Sequence, residues 1–475
     1  MDELWRLSAR EMVARLKSGE VSPLEAVDAA AGRIAESNDA VNAMVTLCLD
    51  RARDQARTLM AAGPPDEPGP GYLYGLPISV KDLDEVAGVR CTYGSPIFAE
   101  HVPDQSNLMV QTLERNGAVI VGKSNTPEFG AGANTFNEVF GATRNPWDTR
   151  MNCGGSSGGA AVNLATGQVW LATGSDLGGS LRIPAAFSSV VGLRASPGRC
   201  PHGTGPTQFS DLPVCGPMAR NVPDVALMLD AMIGRWSRDP ISLAPPPVSF
   251  QQAAMEPRAP ARIGWSAGLG IAPVEPEIEQ ICAAAAHSFA GLGAEVDEAA
   301  PDFTGAQEIF QVLRAELFVL GREPLLHEHR EALKPEVIWN IEKGQQMSLR
   351  DTAAAHRARA ALYQRVCDFF EHYDLLLTPT VMAAPRPVEI RYLEEVAGVR
   401  FDNYVDWLMH TYAVTLIACP AVSVPCGFTS DGLPVGLQLV GRPHGEAQLL
   451  AAAAAFEAAH DFAGMVPMQP RVRHA

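Results

Sequence analysis

The stretch from residue 154 to residue 182 restricts the possible folds of this chain more than any other part of its sequence. It reads GGSSGGAAVNLATGQVWLATGSDLGGSLR, so two Gly/Ser clusters enclose one apolar run that is helix-like and another that is strand-like. Gly/Ser-rich segments are usually flexible loops. Here the apolar residues at 160–164 and 169–172 predict that both loops are anchored in a hydrophobic core. Glycine also lets a backbone turn tightly and approach a bound molecule closely.

Charged and hydroxyl side chains in this stretch indicate chemistry rather than a passive loop. Asp176 and Arg182 flank the second cluster, and charges inside so apolar a segment require partners. Serine hydroxyls held in tight loops beside free backbone N–H groups suit a nucleophile with an oxyanion hole. The stretch therefore predicts a site for nucleophilic catalysis.

Two well-known motifs match the first cluster only formally. Residues 154–158 fit G-x-S-x-G, but that nucleophile elbow requires a strand running into the serine, and the preceding RNPWDTR at 144–150 is loop-like. A phosphate-binding P-loop requires Gly-Lys-Ser/Thr after its glycines, and no such tripeptide follows Gly159. Both motifs are rejected.

The stretch resembles the defining segment of the amidase signature family, in which GGSSGG is followed by a helix, a strand and a GS-D-x-GGS-x-R run. Other segments resemble that family too. They are GLPISVKD at 75–82, GKSNTPEF at 122–129, TRNP at 143–146, LLTPT at 376–380, PAVSVP at 420–425 and GLPVGLQ at 432–438. The resemblance covers nearly the whole chain and is far more specific than any single motif.

The resemblance implies a Ser–cis-Ser–Lys catalytic triad. Lys81 matches the lysine, Ser156 the cis-serine and Ser180 the nucleophile, with the cis peptide bond between residues 155 and 156. The implied oxyanion hole consists of the backbone N–H groups of Leu177, Gly178, Gly179 and Ser180, and the implied supporting residues are Ser157, Asp176 and Arg182. No metal or organic cofactor is needed for this chemistry.

Two positions in this scheme are open to a second interpretation. A lysine flanked by apolar residues, as Lys81 is, commonly extends its amine to solvent. If it is instead buried beside hydroxyls, its pKa falls and its neutral amine can act as a base. Leu177 stands where the family commonly has threonine, which is acceptable if only its N–H is used, although its size can reshape the pocket. The RASP segment at 194–197 also differs from the family's usual Lys-Pro-Thr, and we interpret it as structural variation.

Helix and strand patterns alternate over residues 72–150, which favours an α/β sheet covered on both faces. Together with the resemblance, this predicts a single large mixed, mostly parallel twisted sheet between helical layers. Residues 1–70 are predicted to form an N-terminal helical layer of the same domain, and 71–475 the amidase signature core. The resemblance implies that residues 237–390 form a more variable region that shapes the substrate pocket.

Three further elements are predicted in the C-terminal half of the chain. The proline-rich segment at 240–260 reads as a linker. Residues 414–424 and 434–440 read as strands that return to the main sheet.

Composition excludes several classes of protein. The net charge of −17 disfavours binding to nucleic acid or to an anionic membrane surface. Nine cysteines without a C-x-x-C pair are typical of a reduced cytoplasmic protein. No metal-ligand set is visible, because the H-x-H at 327–329 is a weak signal by itself. The N-terminal segment lacks the features of a signal peptide, and a monomer or homodimer is expected.

The resemblance implies an amidase that hydrolyses small aryl or apolar carboxylic amides through a Ser180 acyl-enzyme. Esters, anilides and carbamates (urethanes) pass through the same acyl-transfer steps. Two alternatives remain open: the A subunit of a glutamine-dependent tRNA amidotransferase, which needs partner chains, and a catalytically inactive binding protein. The apolar Leu177 argues against the first, and the intact positions of Lys81, Ser156 and Ser180 argue against the second.

Overall fold

Strands and helices alternate along most of the chain. The structure of the protein, a computed structural model, describes residues 3–201 and 203–473. The strands are β1 (Met44–Leu47), β2 (Pro77–Lys81), β3 (Val119–Ser124), β4 (Phe136–Asn137), β5 (Gly141–Ala142), β6 (Leu171–Asp176), β7 (Val191–Arg194), β8 (Val214–Ala219), β9 (Arg262–Trp265), β10 (Glu295–Glu298), β11 (Leu375–Pro379), β12 (Glu395–Val396), β13 (Val399–Arg400), β14 (Ala421–Phe428) and β15 (Pro434–Val440). The α-helices are α1 (Ala9–Ser18), α2 (Pro23–Val41), α3 (Leu49–Ala62), α4 (Leu108–Arg115), α5 (Gly158–Ala165), α6 (Arg182–Ser188), α7 (Val222–Met232), α8 (Phe250–Met255), α9 (Pro276–His287), α10 (Ala306–His329), α11 (Pro335–Gln345), α12 (Leu349–His372), α13 (Met409–Leu416) and α14 (Glu446–Ala458).

Eleven of these strands form one mixed sheet in the order β1-β3-β2-β6-β8-β7-β14-β15-β11-β9-β10. Pairing is parallel in two flanks, from β3 through β2 to β6 and from β11 through β9 to β10. The strands between those flanks pair antiparallel, as does the edge strand β1 with β3. The predicted large mixed sheet is confirmed. Antiparallel pairing is more extensive than the sequence pattern indicated; for β14 and β15 the reason is the short connection between them, which permits only antiparallel neighbours.

Side chains along the strands alternate between two hydrophobic layers, so both faces of the sheet are covered. On β11, Leu375 and Leu377 join one cluster and Leu376 joins the other. On β2, Val80 faces the first layer, whereas Ser79 contacts Asn163 of α5 through a hydrogen bond of 3.4 Å. Alternation therefore places Lys81 on the face that α5 covers.

The N-terminal helices are set by local signals. Ser8 and Glu11 form a capping box for α1, and Ser22 and Glu25 form one for α2. The apolar side of α1 packs into the main core, and β1 adds to the sheet edge beside β3. The division into an N-terminal layer and a core stays a prediction, and its outer bounds at residues 1 and 475 lie outside the described residues.

Two predicted elements are wrong in part. The segment at 240–260 is not simply a linker, because it contains α8, whose Phe250 is buried against α7 and α14. In the predicted strand at 414–424, the first residues belong to the helix α13, and the strand begins only at Ala421. Every residue of α13 is buried, and a short, wholly buried apolar run has no periodicity that separates helix from strand.

No helix within residues 3–201 and 203–473 has the length and apolar character that crossing a bilayer requires.

Candidate active site

The residues of the candidate site meet because of the sheet topology. Lys81 ends β2 and Asp176 ends β6, and these strands pair in parallel, so their C-terminal ends lie at the same edge. The first Gly/Ser cluster forms the turn before α5, and the second forms the turn between β6 and α6. Two loops and two strand ends therefore converge.

Lys81 is the centre of this arrangement and is fully buried, with 0% exposure. Its Nζ lies at hydrogen-bonding distance from three hydroxyl oxygens, 2.7 Å from Ser156 Oγ, 2.9 Å from Ser157 Oγ and 3.0 Å from Ser175 Oγ. Burial lowers its pKa from 10.5 to about 7, although the nearby carboxylate of Asp84 favours the charged form. A substantial fraction of this amine is therefore neutral near pH 7.

Ser157 fixes which way the lysine amine is oriented. Its hydroxyl donates to the Ser175 carbonyl at 3.3 Å, and its Oγ accepts from the Ser175 N–H at 3.3 Å. Because its only proton is used, Ser157 can only accept from Lys81. A neutral amine has two N–H donors and one lone pair. With Ser157 and Ser175 as acceptors, the lone pair of Lys81 is left for the hydroxyl of Ser156.

The first loop is held in its bend by contacts that admit no larger residues. The Gly155–Ser156 peptide bond is cis. Thr135 Oγ1 donates to the Gly154 carbonyl at 2.8 Å and accepts from the Gly158 N–H at 3.1 Å. A Cβ at Gly158 would lie only 2.3 Å from that same oxygen, so glycine is required there. The two loops are joined where the Ser157 N–H donates to the carbonyl of Ser180 at 3.1 Å.

Asp176 organises the second loop around Ser180. Its carboxylate accepts from the Gly179 N–H at 3.0 Å and from the Leu181 N–H at 3.1 Å. The amides on both sides of Ser180 are therefore anchored to one side chain. Arg182 adds two hydrogen bonds to the carboxylate, at 2.8 and 3.0 Å.

Asp176 is ionised although it is buried. Burial by itself would raise its pKa, but the guanidinium groups of Arg182 and Arg194 outweigh that effect and lower the pKa to about 2. Arg194 also donates to the Asp176 carbonyl at 2.6 Å, and Arg182 donates to Gln438 Oε1 at 2.5 Å and to Thr415 Oγ1 at 3.2 Å. The loop is thus tied to β7, α13 and β15.

The backbone of the second loop presents N–H groups beside Ser180. The N–H of Gly179 is used by Asp176, whereas those of Leu177, Gly178 and Ser180 make no hydrogen bond to residues 3–201 or 203–473. Gly179 has φ +119°, and a Cβ there would lie 2.3 Å from Thr411 Oγ1. Thr411 in turn donates to the Gly178 carbonyl at 2.6 Å, and this hydrogen bond fixes the orientation of the peptide between Gly178 and Gly179.

A cavity of about 480 Å³ opens directly onto both loops. Ser156, Ser175 and Ser180 lie on its wall. Its apolar lining consists mainly of Leu83, Phe129, Leu177, Leu317, Phe318 and Leu408. Of these, Leu317 and Phe318 come from α10, inside the region at 237–390. No group of three or more His, Cys, Asp or Glu side chains in the described part of the chain is arranged to hold a metal ion.

All six side chains predicted from the sequence converge here or support the loops. Sequence reasoning missed Ser175, Arg194, Thr411 and Gln438, which contact them directly. Alternation along β6 places Ser175 with Leu171 of the first hydrophobic layer, so the strand pattern by itself does not indicate that its hydroxyl reaches Lys81. No local signal pairs the other three with the second loop.

Comparisons with known proteins agree with this geometry. The sequence profile of the family described as Amidase matches residues 25–450. An acylamidase of Rhodococcus erythropolis is 34% identical over 465 residues, which cover 97% of this chain and 97% of that protein. The A subunit of the glutamyl-tRNA(Gln) amidotransferase of Moorella thermoacetica is 36% identical over 485 residues, covering 97% of this chain and 98% of that one. Among solved structures, a bacterial aryl acylamidase of the amidase signature family superposes with a TM-score of 0.89 at 29% identity, covering 97% of both chains.

These matches extend over nearly the full length of the chain and include the strands and loops that form the site. The resemblance expected from the sequence is therefore confirmed. The chain belongs to the amidase signature family and is an amidohydrolase acting on linear amides.

Proposed function

We propose that the protein hydrolyses the C–N bond of small aryl or apolar carboxylic amides through an acyl-enzyme on Ser180. The observation that carries this proposal is the buried amine of Lys81, 2.7 Å from Ser156 Oγ, in a site whose two loops line one cavity. Esters, anilides and carbamates (urethanes) can react by the same steps.

The proposed acylation uses a proton relay. Ser180 Oγ attacks the amide carbonyl carbon, its proton passes to Ser156 Oγ, and the Ser156 proton passes to the neutral amine of Lys81. When the tetrahedral adduct collapses, the C–N bond breaks and the leaving nitrogen receives the proton back through Ser156. Water then attacks the ester by the same relay, which releases the carboxylic acid and restores the Ser180 hydroxyl.

The oxyanion of the adduct would be held by backbone amides of the second loop. The N–H groups of Leu177, Gly178 and Ser180 are available for this role. The Gly179 N–H already donates to Asp176. In the proposed oxyanion hole it therefore stabilises the loop and does not bind the oxyanion. Each donor to an oxyanion contributes about 3 kcal/mol to the transition state.

The lining of the cavity supports small apolar or aromatic acyl and amine groups. Leu177, Phe129, Phe318 and Leu408 present hydrocarbon surface close to the serines, and the volume of about 480 Å³ is sufficient for a compact substrate. The similarity to an acylamidase and to an aryl acylamidase supports the same substrate class.

A substrate panel tests the proposal. It contains a p-nitroanilide, an anilide, a primary amide, an aryl carbamate, an ester and glutamine, each assayed with the wild type, with Ser180→Ala and with Ser18→Ala. Ser18 is an exposed serine at the end of α1 and serves as the matched control. We expect aryl substrates to be turned over by the wild type and the control, and not by Ser180→Ala. Substantial turnover by folded Ser180→Ala would place the nucleophile elsewhere.

Labelling with a fluorophosphonate separates an unusual substrate from an inactive protein. We expect the reagent to modify Ser180 in the wild type. A folded wild type that is neither labelled nor active on any substrate would favour the inactive binding protein.

A second candidate is the A subunit of a glutamine-dependent tRNA amidotransferase, which the 36% identity to a protein of that kind favours. It predicts glutaminase activity that depends on partner chains and little activity on aryl amides. Measuring glutamine hydrolysis with and without those partners distinguishes it from the stand-alone amidase.

A further inference from the structure

The inner wall of the cavity carries a buried arginine whose charge is not neutralised. Arg314 lies on α10, lines the cavity and is only 6% exposed. Its Nε donates to Asn340 Oδ1 at 3.1 Å, and its Nη2 donates to the hydroxyl of Tyr404 at 2.9 Å. Both partners are neutral acceptors. Within residues 3–201 and 203–473, no carboxylate lies within 4.0 Å of this guanidinium, and its Nη1 has no hydrogen-bond partner.

Three other buried arginines in this protein are paired with an anion, whereas Arg220, 3% exposed, has both of its Nη atoms bound to the backbone carbonyls of Trp5 and Leu7. Arg182 and Arg194 contact Asp176 at 2.8 and 3.4 Å, and Arg199 contacts Glu446 at 3.2 Å. Removing a cation from water is costly unless it is paired. A buried guanidinium that faces a cavity and has one nitrogen without a hydrogen-bond partner can therefore bind an anionic group of a ligand.

Arg314 lies on the same helix as a side chain that contacts the proposed oxyanion-binding loop. Phe310, one helical turn earlier on α10, is the side chain nearest to Gly178, where an added Cβ would lie 3.4 Å from the ring. Four residues along a helix correspond to a rise of about 6 Å. Arg314 thus lies one helical turn along α10 from the residue that contacts Gly178, and both Arg314 and Gly178 line the cavity.

Further apolar and basic side chains lie on the cavity-facing side of α10. Leu317, Phe318, Gly321 and Arg322 follow Arg314 at helical spacing and also line the cavity. Arg322 donates to the Gly321 carbonyl at 2.8 Å and lies 4.7 Å from the ring centre of Phe129, again without a carboxylate within 4.0 Å in the described chain. This wall combines hydrocarbon with positive charge.

Carboxylates also line the cavity. Asp84 and Glu85 line it, and Glu85 accepts from the Tyr93 hydroxyl at 2.6 Å. They disfavour an anionic group beside them. A substrate with one anionic end would consequently be oriented with that end toward the Arg314 guanidinium and away from these carboxylates.

We propose that Arg314 binds a carboxylate on the acyl group, so that the preferred substrates are monoamides of short dicarboxylic acids. The amide carbonyl lies at Ser180, a short methylene chain contacts Leu317 and Phe318, and the free carboxylate pairs with the guanidinium. This inference rests on the proposed function, because it names the acyl group that the same site takes.

The first test compares two p-nitroanilides with five-carbon acyl groups, one from pentanoic acid and one from glutaric acid, which differ only in a terminal methyl or carboxylate. We expect the wild type to have the higher kcat/KM for the glutaryl substrate. A charge-assisted hydrogen bond corresponds to about a 10- to 100-fold effect. Arg314→Met should lower kcat/KM for the glutaryl substrate by that factor and leave the pentanoyl substrate nearly unchanged.

Two variants serve as comparisons. Arg330→Met removes one positive charge from an exposed pair with Glu342 just beyond α10, and should leave the ratio between the two substrates unchanged. Arg314→Lys keeps the charge but loses the planar fork, and should restore part of the preference. It also keeps the inference testable if Arg314→Met does not fold, which its thermal unfolding would reveal.

A binding measurement separates failure of this inference from failure of the proposed function. Calorimetry measures binding of glutaryl p-nitroanilide to Ser180→Ala and to Ser180→Ala/Arg314→Met, so no turnover is required. Tighter binding with Arg314, by about 10-fold or more, supports the inference even if Ser180 is not the nucleophile. Equal binding by both proteins, or a wild-type preference for the pentanoyl substrate that Arg314→Lys does not alter, would overturn it.

Discussion

The pH dependence of acylation follows directly from the environment of Lys81. The lysine must be neutral to accept the proton of Ser156, and burial lowers its pKa to about 7. We therefore expect kcat/KM to rise with pH, with a midpoint near 7 and a plateau above about pH 8. Below the midpoint the rate should fall tenfold per pH unit, because the neutral fraction falls by that factor.

The magnitude can be derived from the same pKa. At pH 5 about 1% of the amine is neutral, so the rate should be about 100-fold below the plateau. A solvent-exposed lysine with its ordinary pKa of 10.5 would have a neutral fraction about 1,600 times smaller than that of Lys81 at pH 7. The burial of this one side chain would thus allow the proposed proton relay to work at neutral pH.

The assay should not depend on which substrate is natural. We would measure the second-order rate of Ser180 modification by a fluorophosphonate between pH 5 and 9, beside kcat/KM for an anilide. Circular dichroism at each pH would verify that the fold is unchanged. Both rates should share one midpoint, since both require the same proton relay.

Other buried groups that titrate in this range provide the control. Burial lowers the pKa of Lys334 to about 8, and this lysine lies next to Gly132 of the cavity wall. Burial also raises the pKa of Glu457 to about 8, at the contact with α7. A Lys334→Met variant should keep the midpoint near 7. A flat profile, a midpoint above 9 or a midpoint that moves with Lys334 would refute Lys81 as the base.

Three further outcomes are expected. Asp176→Asn should lower the free energy of unfolding by about 3–5 kcal/mol, measured in guanidinium, because two buried arginines lose their carboxylate. The exposed control Asp54→Asn should unfold at the same guanidinium concentration as the wild type. Gly179→Ala should abolish activity and lower the melting temperature, since its Cβ would lie 2.3 Å from Thr411 Oγ1; wild-type kcat would contradict the loop geometry. Ser175→Ala removes one of the three hydroxyls around the lysine amine and should lower kcat by about 10-fold without preventing fluorophosphonate labelling, whereas an unchanged kcat would show that this hydroxyl is dispensable.

Several features of this protein could be predicted from the sequence because their causes are local. Ser8 with Glu11 and Ser22 with Glu25 specify helix starts within four residues, and both capping boxes are present. The strand predicted at 434–440 is present as β15, with the same bounds. The glycines and serines of the two loops identified the family, since so specific a combination is rarely shared by chance.

The same reasoning failed where several elements compete for one segment. The prolines at 240–260 indicated a linker, but burial of Phe250 against two helices stabilises α8 there. The apolar run that ends in β14 begins as α13, because burial on every side leaves no periodicity to read.

The residues that can perform the chemistry are recognisable in the chain itself, whereas the state in which each is held depends on how the chain folds. The pKa of Lys81 depends on burial by strands and loops 75–94 residues away in the chain. The use of the Gly179 N–H by Asp176, and the absence of a described carboxylate near Arg314, likewise depend on the folded arrangement of the loops and helices. Charge and hydrogen bonding act through space. No local pattern therefore specifies whether a lysine is neutral, whether an amide N–H has a partner or whether a carboxylate lies beside an arginine.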